Sequence, residues 1–542
     1  MATVKKNRLE GALPRISDYL KKWATEMPDH KAFIYHEQPT TYLEFFNNAK
    51  QIAKYMLSIG VKKGDRIGYV MVGRPEFFTL YMGASMIGAI IVGMNVRHTP
   101  PEMEYVLNNS QASHVMAQHS LLDINYQERL GKALPNCPSV DQVWIVDGAP
   151  ELPNAISYEE ILKGDYSAYD QMLAEREAEV GPDDGLIIVY TSGTTGQPKG
   201  AVLTHRNVIS TCLVEKDEFH LPTGMQPEDH ILCVSPVNHV SGATEWGATG
   251  IIAGCTQVLM DVFDPDLCLR MAEKYRPPMM AGVPTMWAMY FAHPNYDKFD
   301  LSSVRFCMIG GAPAPRDILV KMKELGQYCC NPMGMTETAG LSTYSDRGAS
   351  VENLNQTVGK CAPEWEMKIV DANRKEVPNG TAGEIAYRGP NVFKEYFNMP
   401  EATAAAFDDE GWFYSGDVGL IDENGDLRLV GRLKEMYITG GYNVYPAEIE
   451  EQISRYPGVM MVAVLPVPHK IMGEVGRAYI VPKPGVTLDG DAIQEYLKDY
   501  LADYKIPRQY VFRDSFPLTT LGKIEKKILK AEMEKELEKE LT

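Results

Sequence analysis

The residues able to do chemistry in this chain lie in loops, and two loops stand out by composition alone. In the first, an apolar run from Ile187 to Tyr190 opens into Thr191-Ser192-Gly193-Thr194-Thr195-Gly196-Gln197-Pro198-Lys199-Gly200. Glycines let backbone N–H groups approach a ligand closely and hydroxyls add further donors, a combination suited to phosphate oxygens. It is not a Walker loop, which needs Gly-Lys-Ser/Thr, because Lys199 stands between Pro198 and Gly200. A flexible linker is the bland alternative, but a linker has no use for a lysine and a proline behind an apolar strand. In the second loop, Lys523 follows the turn-forming stretch Pro517-Leu518-Thr519-Thr520-Leu521-Gly522. Lys526, Lys527 and Lys530 beyond it read as solvated tail charges, whereas the turn can hold Lys523 in place.

The elements that must position these loops alternate. Tyr42 to Ser58 has helical spacing, Asp65 to Met71 reads as a strand, Pro75 to Ile87 as a helix and Ile90 to Met94 as a strand. This rhythm implies βαβ units around a largely parallel sheet. Strands at His230 to Ser235, Thr256 to Met260 and Val304 to Ile309 continue it. From about residue 356 to 431, short alternating segments with turns such as Asn379-Gly380 predict a β-rich subdomain. Beyond Gly431, a helix from Pro446, strands near Val459 and Gly476, a helix from Asp491 and a charged helical tail predict a separate α+β domain. The expected division is therefore a large α/β domain over 1–431 and a small mobile α+β domain over 432–542.

Composition narrows the function classes. The chain has 542 residues, 45% of them hydrophobic and 23% charged, enough for several cores. With 53 Lys and Arg against 72 Asp and Glu, its net charge is −19, which repels phosphate backbones and argues against nucleic-acid coating. Nine cysteines and eleven histidines show neither a C-x-x-C nor an H-x-x-x-H spacing, so a zinc site and a disulfide framework are not expected. The stretch from Leu80 to Val96 is too short to span a bilayer, and the N-terminus lacks a secretory apolar core, so the expected location is the cytoplasm. Assembly into a homodimer is left open.

Taken in order, the loops and several further stretches resemble the motif series of the adenylate-forming superfamily, which includes acyl-CoA synthetases, peptide-synthetase adenylation domains and firefly luciferase. The resemblance runs from about residue 180 to 530. It implies that Thr191, Ser192, Gly193, Thr194, Thr195, Gly196 and Lys199 hold the ATP phosphates. Gly311, Ala312 and Pro313 would lie along the adenine with Asn331, Met333, Gly334 and Met335. Thr336 would bond the α-phosphate, and Glu337 would hold Mg²⁺, with Thr191 assisting through the phosphates. A carboxylate suits that hard cation. Asp417 would take the ribose hydroxyls, and Arg432 would reach the ribose or phosphate. Lys434 matches the hinge residue of the family, Lys523 its catalytic lysine, and Gly440, Gly441 and Tyr442 the loop lining the coenzyme A tunnel. His239 would sit at the mouth of the carboxylate pocket. Departures occur at Met333, where an aromatic is usual, at Asn238 before His239, and at Leu518 and Leu521.

The implied reaction has two steps. A carboxylate does not react with a thiol because its leaving group would be oxide, and adenylation replaces that with AMP. The residues expected around the pocket, His239, Val240, Gly242, Ala243, Trp246, Gly282, Gly310, Met335 and Leu341, are mostly small or apolar, with one large aromatic and no obvious cation for a second carboxylate. They predict an aromatic, alicyclic or medium-chain monocarboxylic acid, with ATP, Mg²⁺ and coenzyme A. A carrier-loading adenylation enzyme, for which Glu245 would be the candidate partner of a substrate ammonium, a luciferase-like oxygenase and a non-catalytic nucleotide sensor are the alternatives.

Overall fold

The computed structural model describes residues 7–191, 197–219, 224–519 and 523–540. Its largest sheet has eight strands in the order Glu395–Tyr396, Lys199–Thr204, Gly185–Thr191, Ile90–Gly93, Arg66–Val70, His114–Gln118, Gln142–Val146 and Ala155–Ser157. The strands from Gly185–Thr191 onward pair in parallel, and antiparallel pairing is confined to the edge formed by Lys199–Thr204 and Glu395–Tyr396. Helix Tyr42–Ser58 begins in a reciprocal cap: the Glu44 amide donates to Thr41 Oγ1 at 3.2 Å and the Thr41 amide donates to Glu44 Oε2 at 2.8 Å. Its buried face, Phe45, Ala49, Ile52, Ala53 and Met56, packs against helix Pro75–Ile87. That second helix is buried on every side from Phe77 to Ile87, which explains why its sequence lacks a polar face.

Two further sheets complete the α/β part. Lys31–Tyr35 and Gln38–Thr41 join His230–Cys233 and Thr256–Leu259 in one, and Met279–Gly282, Phe306–Ile309 and Tyr328–Cys330 form a short parallel sheet. The β-rich stretch forms an antiparallel sheet of Glu366–Val370, Gly383–Arg388, Phe413–Ile421 and Leu427–Arg432. One piece of it departs from that expectation: Glu395–Tyr396 leaves the subdomain and pairs with Val202 and Ala201, carrying Tyr396 to the edge of the largest sheet. The last part of the chain is a five-stranded sheet of Tyr437–Thr439, Tyr442–Val444, Val459–His469, Gly473–Pro482 and Gln509–Phe512, with apolar clusters of its own around Ile449, Val464 and Tyr479. Helix Lys526–Glu540 follows. Its first residue is not a solvated charge: Lys526 Nζ pairs with Glu435 at 2.8 Å and with Glu450 at 2.9 Å.

Candidate active site

The site gathers where parallel strands end, the usual ligand crevice of α/β sheets. Phe306–Ile309 runs into Gly310-Gly311-Ala312-Pro313, and the last three of these are exposed. Beside it, the chain after Tyr328–Cys330 turns through Met333, Gly334 and Met335 into a single 3₁₀ turn, Thr336–Thr338. That turn exists only because residue 334 is glycine. A Cβ there would lie 1.3 Å from the Gly340 carbonyl oxygen. The fold thereby brings the backbone of 333–340 back on itself and aims Thr336 and Glu337 along the crevice.

Glu337 is tied to groups that sequence adjacency does not supply. The Tyr396 hydroxyl donates to Glu337 Oε1 at 2.8 Å, and Lys199 Nζ stands 4.6 Å from the centre of the Tyr396 ring. Helix His205–Glu218, which follows the Lys199 strand, holds the Tyr396 segment in place: Asn207 Nδ2 donates to the Pro390 and Val392 carbonyls at 2.9 and 2.7 Å. Burial pushes the Glu337 carboxyl above its ordinary pKa, opposed by the tyrosine hydroxyl. Lys199 is shifted down, first by desolvation and then by Lys434, so the phosphate-loop lysine and the expected hinge lysine lie within electrostatic reach of each other.

Asp417 and Arg432 face each other across adjacent antiparallel strands, with Arg432 Nε 2.9 Å from Asp417 Oδ1. Asp417 is buried and its pKa is raised by desolvation, with Arg432 working against the rise. Lys523 completes the cluster from the other end of the chain. The arms of its turn are pinned: the Thr519 amide donates to the Lys523 carbonyl at 2.8 Å and the Lys523 amide donates to Thr519 Oγ1 at 3.2 Å. The side chain extends over Gly311, where a built Cβ would lie 3.1 Å from Lys523 Cε and 3.5 Å from Nζ. The residue is exposed, yet its ammonium is crowded enough that desolvation and then Arg432 lower its pKa, while Glu245 and Asp417 oppose this. His239 is held down to about 4 by desolvation and then by Lys523, so it is neutral at pH 7.

The expected residues therefore divide. Lys199, Gly311, Glu337, Asp417, Arg432, Lys434, Lys523 and His239 are linked directly or through one another around the crevice. Ser192, Gly193, Thr194, Thr195 and Gly196 lie outside the described residues. Asn331 stands nearby, but its amide donates to the Leu354 and Thr357 carbonyls at 2.8 and 3.2 Å and acts as a strut. Met333 is buried, and the Tyr387 hydroxyl donates to its sulfur at 3.5 Å, so the thioether is engaged with the core. Trp246 lines a small cavity of about 10 Å³ with Glu215, Phe219, Met225, Glu245, Thr249, Met279 and Met308. Ala243 and Leu341 are buried, and Val240 is half-buried. Gly440 and Gly441, with φ of +58° and +91°, turn the hairpin from Tyr437–Thr439 to Tyr442–Val444. The tip neighbours Met472, and Tyr442 stacks on Tyr504 at 4.5 Å, so the hairpin is packed within its own sheet while Lys523 is at the crevice.

Residues 20–397 match the family model described as AMP-binding enzyme, and residues 448–523 match the AMP-binding enzyme C-terminal domain. The chain belongs to the AMP-binding enzyme family. Within it, the protein falls in the AMP-forming acyl-CoA synthetase branch. It is 34% identical over 484 residues to a feruloyl-CoA synthase of Amycolatopsis sp, covering 89% of this chain and 92% of that one. It is 31% identical over 511 residues to an indoleacetate–CoA ligase of Aromatoleum aromaticum, covering 94% and 96%. The crystal structure of ATP-bound MatB from Rhodopseudomonas palustris superposes with a TM-score of 0.83 at 29% identity, covering 95% and 98%. Among the described residues of this AMP-binding enzyme, no helix is long and apolar enough to cross a membrane.

Tyr396 adds to what the motifs predict. Tyr396 belongs to no motif; its pairing with the Lys199 strand and the Phe393 amide, which donates to the Glu337 carbonyl at 2.8 Å, bring it to Glu337.

Proposed function

We propose that this acyl-CoA synthetase activates an aromatic, alicyclic or medium-chain monocarboxylic acid in two steps. A carboxylate oxygen attacks the α-phosphorus of ATP and pyrophosphate leaves; the thiol of coenzyme A then attacks the acyl carbonyl and AMP leaves. The observation that carries the reading is Lys523 over Gly311, because it puts a cation from the last part of the chain at the crevice holding Glu337, Asp417 and Arg432. The chief obstacle to the first step is repulsion between two anions. Lys523 and Lys199 supply fixed positive charge there, and preorganised electrostatic groups of this kind commonly provide the greatest share of an enzyme's rate enhancement. Thr336 would bond the α-phosphate, Asp417 the ribose hydroxyls, and Arg432 the ribose or phosphate as a fixed fork donor.

Glu337 fits Mg²⁺, being a carboxylate that accepts from the Tyr396 hydroxyl and lies within electrostatic reach of Lys199. No group of three metal-ligating side chains occurs among the described residues. When bound, the ion would neutralise phosphate charge. Ala243, Trp246 and Leu341 of the expected pocket are buried, and their apolar side chains support a ring or a short chain as the acyl group. For the second step, the domain over 432–542 would turn about Lys434, withdrawing Lys523 and presenting Gly440, Gly441 and Tyr442 to coenzyme A. His239, neutral and beside Lys523, would pack at the mouth of the carboxylate pocket as the poses exchange.

The test is pyrophosphate release with Mg-ATP across a panel of carboxylic acids, with and without coenzyme A. Multiple turnover that requires coenzyme A is expected. Release with an amino acid and no dependence on coenzyme A would overturn the ligation step, and silence with every acid would overturn the enzyme reading.

A further inference from the structure

Tyr396 engages two opposite charges at once. Its hydroxyl donates to Glu337 Oε1 at 2.8 Å, and Lys199 Nζ stands 4.6 Å from the centre of its ring. The edge of the largest sheet dictates this meeting. Lys199 and Ala201 lie two residues apart on one strand and so share a face. Tyr396 is registered with Ala201, which puts its ring diagonal to Lys199 on that face. The Phe397 and Lys394 amides flank the tyrosine and donate to the Gly200 and Val202 carbonyls at 2.7 and 2.9 Å. The Tyr396 amide donates to Thr403 Oγ1 at 3.0 Å, and Phe393 packs against the ring with centroids 4.7 Å apart. The side chain is thereby buried and fixed in place.

Lys199 and Glu337 lie within electrostatic reach of each other, yet they form no ion pair among the described residues. Left to themselves, an ammonium and a carboxylate on neighbouring half-buried segments close into a salt bridge, because their attraction grows as water is excluded. Such a bridge would occupy both groups before any nucleotide arrived. The phosphates would then have to break it, and a site closed for about nine-tenths of the time binds about tenfold more weakly. The tyrosine removes that competitor. Its ring face attracts the ammonium, and its hydroxyl donates to the carboxylate, from different sides of one rigid side chain.

We propose that Tyr396 is a positioning residue that holds Lys199 and Glu337 apart, keeping the cation for the phosphates of ATP and the carboxylate for the metal ion. The proposal rests on the ligase reading above and concerns how the nucleotide site is kept open before ATP arrives. The ring is the spacer, whereas the hydroxyl orients Glu337 alone. The two parts of the side chain can therefore be separated by substitution.

The experiment titrates the full chain with ATP by calorimetry, first in EDTA and then with Mg²⁺. Tyr396→Leu should weaken metal-free ATP binding about tenfold, because Lys199 closes onto Glu337. Glu337→Gln, which leaves the lysine without a partner, should improve metal-free binding about tenfold more in the Tyr396→Leu background than in the wild type. Damage to packing alone would give the same gain in both backgrounds. Tyr396→Phe keeps the spacer and the packing, so its metal-free affinity should stay within about threefold of the wild type, while the gain on adding Mg²⁺ shrinks. Unchanged binding in Tyr396→Leu, or an equal gain from Glu337→Gln in both backgrounds, overturns the proposal. If Tyr396→Leu does not fold, Tyr396→Phe decides, since a tenfold fall in its metal-free affinity would show that the ring does not hold the charges apart. A wild type that binds no ATP under either condition would overturn the ligase reading itself, an outcome distinct from ATP binding that these variants leave unmoved.

Discussion

Removing the Lys523 ammonium separates the two proposed steps more sharply than any other single change. Lys523→Ala deletes one fixed cation from the crevice over Gly311 and leaves the turn intact, because that turn is held through backbone groups and Thr519 Oγ1. The Lys523 ammonium makes no hydrogen bond or ion pair among the described residues, so its loss should leave the fold as stable as before. Two routes give the size of the effect. Deleting one preorganised donor to a developing anion costs about 3 kcal/mol, a factor of 10² to 10³. A unit charge about 4 Å from another at an effective dielectric of about 20 gives about 4 kcal/mol. Lys523 is exposed, and the water that reaches it screens the charge, so the lower end, about 10²-fold, is expected. The assay measures the half-reactions separately: pyrophosphate release with acid and ATP, and acyl-CoA formation from chemically prepared acyl-AMP and coenzyme A. The first should fall about 10²-fold and the second should stay within about threefold of the wild type. An equal fall in both, or a fall of less than tenfold in the first, would refute the assignment.

The remaining expectations concern the groups around that lysine. Because desolvation and Arg432 lower the Lys523 pKa, adenylation should decline as pH rises through a value below the ordinary lysine range of about 10.4, and thiolysis of supplied acyl-AMP should lack that limb. Tyr396→Phe removes the hydroxyl that donates to Glu337; since that bond opposes a raised pKa, the acidic limb of kcat/KM for ATP should move to higher pH, with activity lost as pH falls through it. Arg432→Met should raise the KM for ATP roughly tenfold, because Asp417 loses a 2.9 Å partner that is itself partly in solvent. Gly334→Ala should lower the thermal unfolding midpoint and abolish adenylation together, since its Cβ can be accommodated only by moving the backbone that carries Thr336 and Glu337.

Where the sequence anticipates this molecule, local physics is sufficient. Helices Tyr42–Ser58 and Pro75–Ile87 lie at their expected bounds because a capping threonine and an N-terminal proline mark their starts. The strand before the phosphate loop is legible for the same reason: it needs only its own apolar run. What escapes is non-local. Tyr396 looks like any aromatic of a β-rich stretch until its strand leaves that stretch for Ala201. Lys526 looks like tail charge until the helix start brings it to Glu435 and Glu450. Asn331 sits in a motif, and nothing local records that the Leu354 and Thr357 carbonyls accept from its amide. In each case the partner lies many residues away, and no periodicity or composition records it.

The proposed rotation also sets a requirement on what joins the two parts of the chain, and the contacts meet it. Across the joint, Lys483 faces Asp317 at 3.6 Å with both side chains more than half exposed, and Arg455 Nη2 donates to Asn355 Oδ1 at 3.2 Å on the surface. Pairs of this kind contribute between nothing and about 1 kcal/mol each. The apolar residues of the last domain are instead spent on its own clusters around Ile449 and Tyr479. A pose held by such contacts can be exchanged for another at little cost, whereas an apolar interface would lock it. The two ion pairs of Lys526 act on the other side of this balance: Glu435 is the residue after Lys434, and Glu450 belongs to the helix Pro446–Ser454, so they fasten the turn just after the hinge to the small domain and confine the turning to Lys434 itself. Lys526→Met should therefore spread the motion over more of the chain. The expected result is slower overall turnover with both isolated half-reactions preserved, and an unchanged overall rate would show that the bend is not focused by this lysine.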